Sequence, residues 1–333
     1  PGEDGRLKAD AKTIAAAGFF SVFTPGGVSG SATLDGTLNG LGVLCVYCTA
    51  SQAKSFYDRT KGFNFGLYPT AREYYGHVAE YAGKRLVGGG RKAKWAGINV
   101  PTDLRTLPRK FGLIWVNAVS GTVDPGAQEE RDYFINTLLP RYGITGVVDA
   151  SYNYDVTQGP TTAQTVIAKM NAEHVTTIIQ IADPITPLFF TREATKEQYN
   201  PEWLITGTLL TDTTFWGRTY DQQQWAHAFG FSPLMVGWQN YEVSLGYYEY
   251  HYICPLVYAA ADCAPGKETV ASNVSRIGPS LLAIGISGAG PTLTPQTFAK
   301  GMYAYPPTGG TPSLPLLAFT PDSPTAIKDM TEI

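Results

Sequence analysis

Four short runs rich in hydroxyls and glycine hold the residues best suited to gripping a small polar molecule: Thr24-Pro25-Gly26-Gly27, Thr49-Ala50-Ser51, Ala182-Asp183-Pro184-Ile185-Thr186 and Thr206-Gly207-Thr208. Each follows a short apolar stretch. In the first two, Thr24, Gly26, Gly27, Thr49 and Ser51 offer hydroxyls and unhindered backbone N–H groups ahead of a helix, which favours a carboxylate or another anion. In the last two, Thr206 and Thr208 offer hydroxyls, and Asp183 is the carboxylate placed straight after a strand. Asp183 either pairs with a cationic group on a ligand or caps the next helix. Tyr154 beside Asp155, and Phe215 beside Trp216, could cover the apolar part of such a ligand. Thr, Ser and Gly also serve ordinary loops, so the runs gain meaning only from where the fold puts them.

Other chemistries find less support. Cys45 and Cys48 match C-x-x-C, but they fall within or at the end of an apolar strand, where residues three apart face opposite sides. A thioredoxin-type site needs the pair at a helix N-terminus, so redox catalysis is not expected. Gly285-Ile286-Ser287-Gly288-Ala289 nearly spells the hydrolase G-x-S-x-G, but Ala289 replaces the last Gly and the run ends a helix, where Ser287 would help to stop it. His77, His174, His227 and His251 show no metal-binding spacing. Neither dinucleotide nor P-loop phosphate motifs occur. Asn273-Val274-Ser275 is a formal glycosylation sequon, read as accidental. No catalytic residue, metal or cofactor is expected.

Composition agrees with a binder of small polar molecules. The chain has 333 residues, 44% hydrophobic and 12% aromatic, enough apolar material for packed cores and against disorder. Only 16% of residues are charged, against about 25% in an average soluble domain, and 25 basic against 28 acidic residues leave a net charge of -3. That balance lacks the basic footprint of a nucleic-acid binder. No apolar run reaches the ~20 residues that span a bilayer, and Pro1-Gly2-Glu3-Asp4-Gly5 is neither an initiator Met nor a signal-peptide core, so the chain reads as processed or truncated at its start. Cys254 and Cys263 flank a loop and could close a disulfide, suiting an oxidising compartment.

These residues need elements to position them. Short, nearly wholly apolar runs alternate with longer amphipathic stretches, the pattern of buried parallel strands joined by crossover helices. Helices are expected over 7–17, 31–41 and 71–86, the last capped by Thr70, with strands over 19–23, 43–47 and 62–68. Residues 91–110 turn basic with Gly and Pro, and the boundary between two halves is placed there. The second half repeats the rhythm: strand 111–116, helix 126–142, strand 146–150, helix 161–173, strand 177–181, a helix from 184 and strand 203–206. That succession predicts an α/β fold with a doubly wound open sheet. Helices are expected again over 243–261 and 277–286, and 305–324 reads as loop.

Two longer stretches, residues 203–220 (WLITGTLLTDTTFWGRTY) and 289–302 (AGPTLTPQTFAKGM), resemble the type 1 periplasmic-binding-protein family, specifically substrate-binding proteins of branched-chain-amino-acid-type ABC importers of actinobacteria. Residues 19–86 resemble the end of that family's first lobe and 111–208 its second. The resemblance implies two Rossmann-like lobes joined by a hinge: 1–108 as the later part of lobe 1 plus hinge, 109–240 as lobe 2, and 241–333 as helices returning towards lobe 1 with a loop-rich tail. It also implies that strands of lobe 1 would precede Pro1, leaving that lobe incomplete. The sequence would then begin at a cleavage or cloning boundary, or another chain would complete the sheet. Implied partners are a small polar ligand, an amino acid or a related carboxylate or amide, and ABC permease subunits, outside the cytoplasm, with any membrane anchor lying in the absent start. The expectation is that the Thr- and Gly-rich turns of the two halves face a shared crevice. A serine hydrolase using Ser287, or a ligand-sensing module without transport, are the alternatives.

Overall fold

The computed structural model describes residues 3–23, 32–48, 51–88, 90–119, 121–234, 256, 263, 270–311 and 315–333, with no side chains described for 3 and 270–277. The chain forms two compact units, Pro1–Pro69 with Met235–Lys328, and Thr70–Leu234 with Asp329–Ile333. It therefore passes from one unit to the other at 69/70, 234/235 and 328/329.

In the first unit, helix α1 (Glu3–Ala16), strand β1 (Ser21–Val22), helix α2 (Ala32–Gly40), strand β2 (Leu44–Val46), helix α3 (Lys54–Arg59) and strand β3 (Asn64–Phe65) follow in order. The strands pair in parallel as β1-β2-β3. Ala11 of α1 and Leu38 of α2 pack with Val43 in a small cluster. A larger cluster takes Leu44, Val46 and Phe65 against Leu281, Phe298, Ala299 and Met302 of two later helices, Val270–Ala289 and Pro295–Ala304. Alternation along β2 follows the two-residue period of an extended strand.

The second unit opens with α4 (Ala71–Tyr81), whose start is a capping box. Thr70 Oγ1 accepts from Glu73 N at 3.2 Å, and Thr70 N donates to Glu73 Oε2 at 2.9 Å. A π-helical turn, Ala82–Val87, continues it. Then come β4 (Phe111–Val119), β5 (Thr122–Val123), α5 (Pro125–Tyr133), β6 (Val148–Tyr154), α6 (Gly159–Ala172), β7 (Thr177–Ile181), α7 (Pro187–Lys196), β8 (Glu202–Ile205) and β9 (Phe229–Ser232). The strand over 177–181 has the bounds read from its apolar run. The boundary expected within 91–110 falls inside this unit, because Tyr75, Val78 and Ala79 of α4 pack on Phe111, Leu113 and Trp115 of β4. Tertiary packing of α4 outweighs the change in composition that suggested a break.

Five strands run parallel in the order β6-β4-β7-β8-β9. Numbered along the chain this is 2-1-3-4-5, a doubly wound open sheet whose order reverses at β4. Helices cover both faces. On one, Val166, Ile167 and Met170 of α6 and Phe190 of α7 meet Ile114, Ile178 and Trp203; on the other, α4 and Phe134 meet Leu113, Ile179 and Leu204. A last strand, β10 (Thr331–Glu332), pairs antiparallel with β9, and Gly230 and Ile333 exchange two backbone hydrogen bonds, of 3.0 and 2.9 Å. No helix among the described residues is long and apolar enough to cross a membrane.

Candidate ligand-binding residues

Open parallel sheets bind ligands beyond the C-terminal ends of their strands, where the order reverses. In the second unit those ends carry Tyr154 on β6, Asp183 just after β7, and Thr206 and Thr208 just after β8. β6 and β7 flank β4, and Tyr154 and Asp183 lie close enough that the Asp183 charge helps to raise the Tyr154 phenol, after the larger effect of burial. Both expected residues stand at the C-terminal ends of strands that flank β4.

Asp183 is buried and heavily engaged. Its Oδ1 accepts from Ile185 N at 2.7 Å and Thr186 N at 2.8 Å, and its Oδ2 accepts from Tyr152 Oη at 2.6 Å. Of its two readings, capping the turn that leads into α7 is the one these contacts support. The phenol of Tyr152 is held well above its ordinary range, by burial first and then by the Asp183 charge. Asp183→Ala removes a cap, worth about 1 kcal/mol, and leaves the buried Tyr152 O–H without its acceptor, at about 1–3 kcal/mol more. Urea unfolding should show the combined loss; a change below about 0.5 kcal/mol would refute the capping role.

The loop after β8 is unusual. Thr206 is buried, donates to Gln180 O at 2.7 Å and lies 2.8 Å from the half-exposed Thr208 hydroxyl. Gly207 follows with φ +72°, where a Cβ would meet Pro233 Cδ at 2.5 Å. Leu209 (φ 50°) and Leu210 (φ 67°) then also adopt the left-handed region. Two successive non-glycine residues there store backbone strain, which concentrates at functional sites. The loop ends at Asp212, whose Oδ2 accepts from Ser232 Oγ and whose buried Oδ1 has no partner. Burial raises its carboxyl above the usual range. Gln180, on β7, likewise buries an unpartnered Oε1. Phe215 is 66% exposed and meets Trp216 edge to face at 5.0 Å.

Sequence reasoning missed Gln180, Asp212 and Tyr220, whose phenol donates to Pro184 O at 2.8 Å. A Gln inside the apolar run Thr-Ile-Ile-Gln-Ile was the signal for the first. For the others no spacing signal exists, because the approach is tertiary.

In the first unit Thr24, Gly26, Gly27 and Thr49 lie outside the described residues, and Ser51 is half-buried with φ 46°. Just before it, Cys45 and Cys48 form a disulfide with Cα atoms 5.6 Å apart. This corrects the expectation that the two side chains face apart: β2 ends at Val46, and Tyr47 at φ 60° turns the chain so that Cys48 comes back towards Cys45. Cys263 is also disulfide-bonded; its expected partner, Cys254, lies outside the described residues.

Ser287 is exposed on the helix Val270–Ala289, which ends at Gly290 with φ +74°. This corrects its reading as a helix stop, since the helix runs two residues further and Gly290 takes the left-handed position. Its flanking glycines serve packing: a Cβ on Gly285 would meet Phe298 at 2.2 Å, and one on Gly288 would meet Gly301 Cα at 2.5 Å. The one group of three close carboxylate and sulfur atoms among the described residues, Asp35 with Cys45 and Cys48, has its sulfurs bonded to each other and offers no thiolate.

No protein-family model matches the sequence, and no curated protein does. Solved structures do match in fold. A substrate-binding protein of an ABC transporter from Aeropyrum pernix superposes with a TM-score of 0.65 at 12% identity, over 99% of this chain and 77% of that one. A protein from Rhodopirellula baltica SH 1 titled "possible leucine/isoleucine/valine-binding protein" gives 0.62 at 11%, over 99% and 79%. A periplasmic binding protein type 1 from Bordetella pertussis Tohama I gives 0.60 at 14%, over 98% and 80%. The chain therefore has the α/β fold of the type 1 periplasmic binding proteins, which solved substrate-binding proteins of ABC transporters share.

Proposed function

We propose that this chain is an extracytoplasmic solute-binding protein that captures a small polar ligand, an amino acid or a related carboxylate or amide, and presents it to the permease of an ABC importer. The observation that carries the reading is the likeness of fold over nearly the whole chain to substrate-binding proteins, one of them titled for leucine, isoleucine and valine. The strand-end residues of the second unit are consistent with it: Tyr154, Thr206, Thr208 and the strained loop to Asp212 supply hydroxyls and acceptors, and Phe215 an exposed ring. Asp183 contributes by fixing the turn into α7. Thr24, Gly26, Gly27, Thr49 and Ser51 are assigned to the ligand from the first unit.

Three chain passages between two compact units suit a hinge. A ligand that binds one form of the protein better than another favours that form by its differential contacts, and the permease reads it. The protein performs no covalent step on its ligand. A disulfide beside the ligand loop suits an oxidising compartment.

A thermal-shift screen over branched-chain and other amino acids, amides and aromatic carboxylates tests this. A true ligand at 100 times its dissociation constant stabilises by about 2.7 kcal/mol. A screen in which no compound stabilises the protein, with calorimetry equally silent, would sink the assignment. Labelling of Ser287 by a fluorophosphonate would replace it with the hydrolase reading.

A further inference from the structure

Beside the Cys45–Cys48 disulfide lies a buried carboxylate whose Oδ2 has no hydrogen-bond partner. Asp35, on α2, is 2% exposed, and its carboxylate oxygen and the two sulfurs lie within 4.8 Å of one another. Disulfide sulfurs carry no proton, so the closed bond gives an ionised Asp35 nothing to accept from. Two thiols would.

We propose that Cys45–Cys48 is a thiol–disulfide exchange site in which Asp35 is the internal proton donor and acceptor, and a small dithiol is the reductant. A thiolate of the dithiol attacks Cys48 Sγ, on the less deeply buried residue of the two, 2% exposed against 0% for Cys45. A mixed disulfide forms, the Cys45–Cys48 bond breaks, and the electron pair leaves on Cys45 Sγ, which takes the proton of the Asp35 carboxyl. The second thiol of the reagent returns a proton to Asp35 and attacks its own mixed-disulfide sulfur. Cys48 leaves as a thiolate and takes from solvent the proton that the first thiol lost there. Overall two electrons and two protons pass from the dithiol to the protein, and the reagent departs as its disulfide. Run backwards, ionised Asp35 accepts the proton of the attacking Cys45 thiol.

Burial is what prepares Asp35 for this role, pushing its carboxyl up to about 7. At neutral pH it can then both give and take a proton, the condition for efficient proton transfer. Neighbouring charges do not cause the shift, whose one cause is burial. α1, packed on α2, carries Asp4, Arg6, Lys8, Asp10 and Lys12, with Asp4 accepting from Thr33 Oγ1. α3 carries Lys54, Asp58 and Arg59, of which Lys54 and Asp58 pair with each other. β2 carries no charge, and β3 contributes Asn64, whose amide donates to Asn39 of α2.

The pair sits immediately ahead of Thr49 and Ser51. If those residues contact ligand, as the proposed function holds, opening the disulfide releases the turn at Tyr47 and lowers ligand affinity; the exchange chemistry itself does not depend on that reading.

The test is the rate of opening by dithiothreitol in the folded protein across neutral pH, followed by alkylation and mass, and divided by the thiolate concentration. In the wild type this normalised rate should fall as pH rises through about 7, where Asp35 loses its proton. Asp35→Asn should be slower below that pH and flat across it, while Asp35→Glu keeps the break. A wild-type profile without the break, an unchanged break in Asp35→Asn, or a disulfide that never opens without unfolding would each overturn the proposal. If Asp35→Asn does not fold, the wild-type profile alone decides. Ligand affinity of the open form is read separately by thermal shift, so failure to find a ligand counts against the proposed function and leaves the exchange test standing.

Discussion

Glu202→Ala should destabilise the second unit by about 3–5 kcal/mol, the range for breaking a buried ion pair from one side. Glu202 opens β8 at 1% side-chain exposure, and its partner Arg109 is 8% exposed. The carboxylate takes three donors: the Arg109 guanidinium and Thr177 Oγ1, at 2.9 Å, on one oxygen, and Trp95 N, at 3.1 Å, on the other. Removing it leaves a guanidinium without its counter-charge and a backbone N–H without a partner. Arg109 also donates to Lys92 O at 2.8 Å, so the pair ties the irregular segment before β4 to the sheet. Guanidinium-chloride unfolding with near-UV dichroism as the probe measures the loss. Because paired burial of charge is itself costly, Arg109→Met with Glu202→Leu should recover a large part of it. A single variant within about 1 kcal/mol of wild type would mean that the pair behaves as a surface contact.

Gly301→Ala should destabilise the first unit by more than the usual ~1–3 kcal/mol of overpacking. The helices Val270–Ala289 and Pro295–Ala304 cross at Gly288 and Gly301. A Cβ on Gly301 would lie 2.6 Å from Gly288 C and 2.8 Å from Ala289 N, and the obstacles are backbone atoms that cannot rotate away. Gly288→Ala should do the same from the other side. Ser287→Ala, next to Gly288 in sequence but exposed, should stay within about 0.5 kcal/mol of wild type. Thermal unfolding of the three variants side by side makes the comparison; equal stability of all three would show that the helices can move apart freely.

The strand 177–181 and the cap at Thr70 were legible in the sequence because each is fixed locally, by a continuous apolar run in one case and a Thr-x-x-Glu box in the other. β9 and β10 were not. Phe229-Gly230-Phe231-Ser232 is too short to show a period, and Thr331–Glu332 is a strand only because β9 offers it an edge. The division between units was misplaced for the same reason: nothing in residues 71–86 says which sheet their apolar face will cover. At the site, the turns after β7 and β8 followed from the strand pattern, so Asp183 and Thr206 could be singled out. Their roles could not, because Tyr152 and Gln180 reach them across strands. Gly285 and Gly288 looked like part of a nucleophile motif until the second helix supplied the reason for their small size.

The five residues after Lys328 are covered by a different folding history from their neighbours in sequence. They close the β9 edge of a sheet whose other strands were all synthesised before residue 234, so during translation that sheet waits with an open edge until the ribosome has delivered the intervening segment. Residues 70–234 cloned as one contiguous piece would keep that edge bare permanently, and bare edges recruit other chains. An independently soluble version of this half is best made by replacing residues 235–328 with a short flexible linker, so that residues 329–333 follow residue 234 directly.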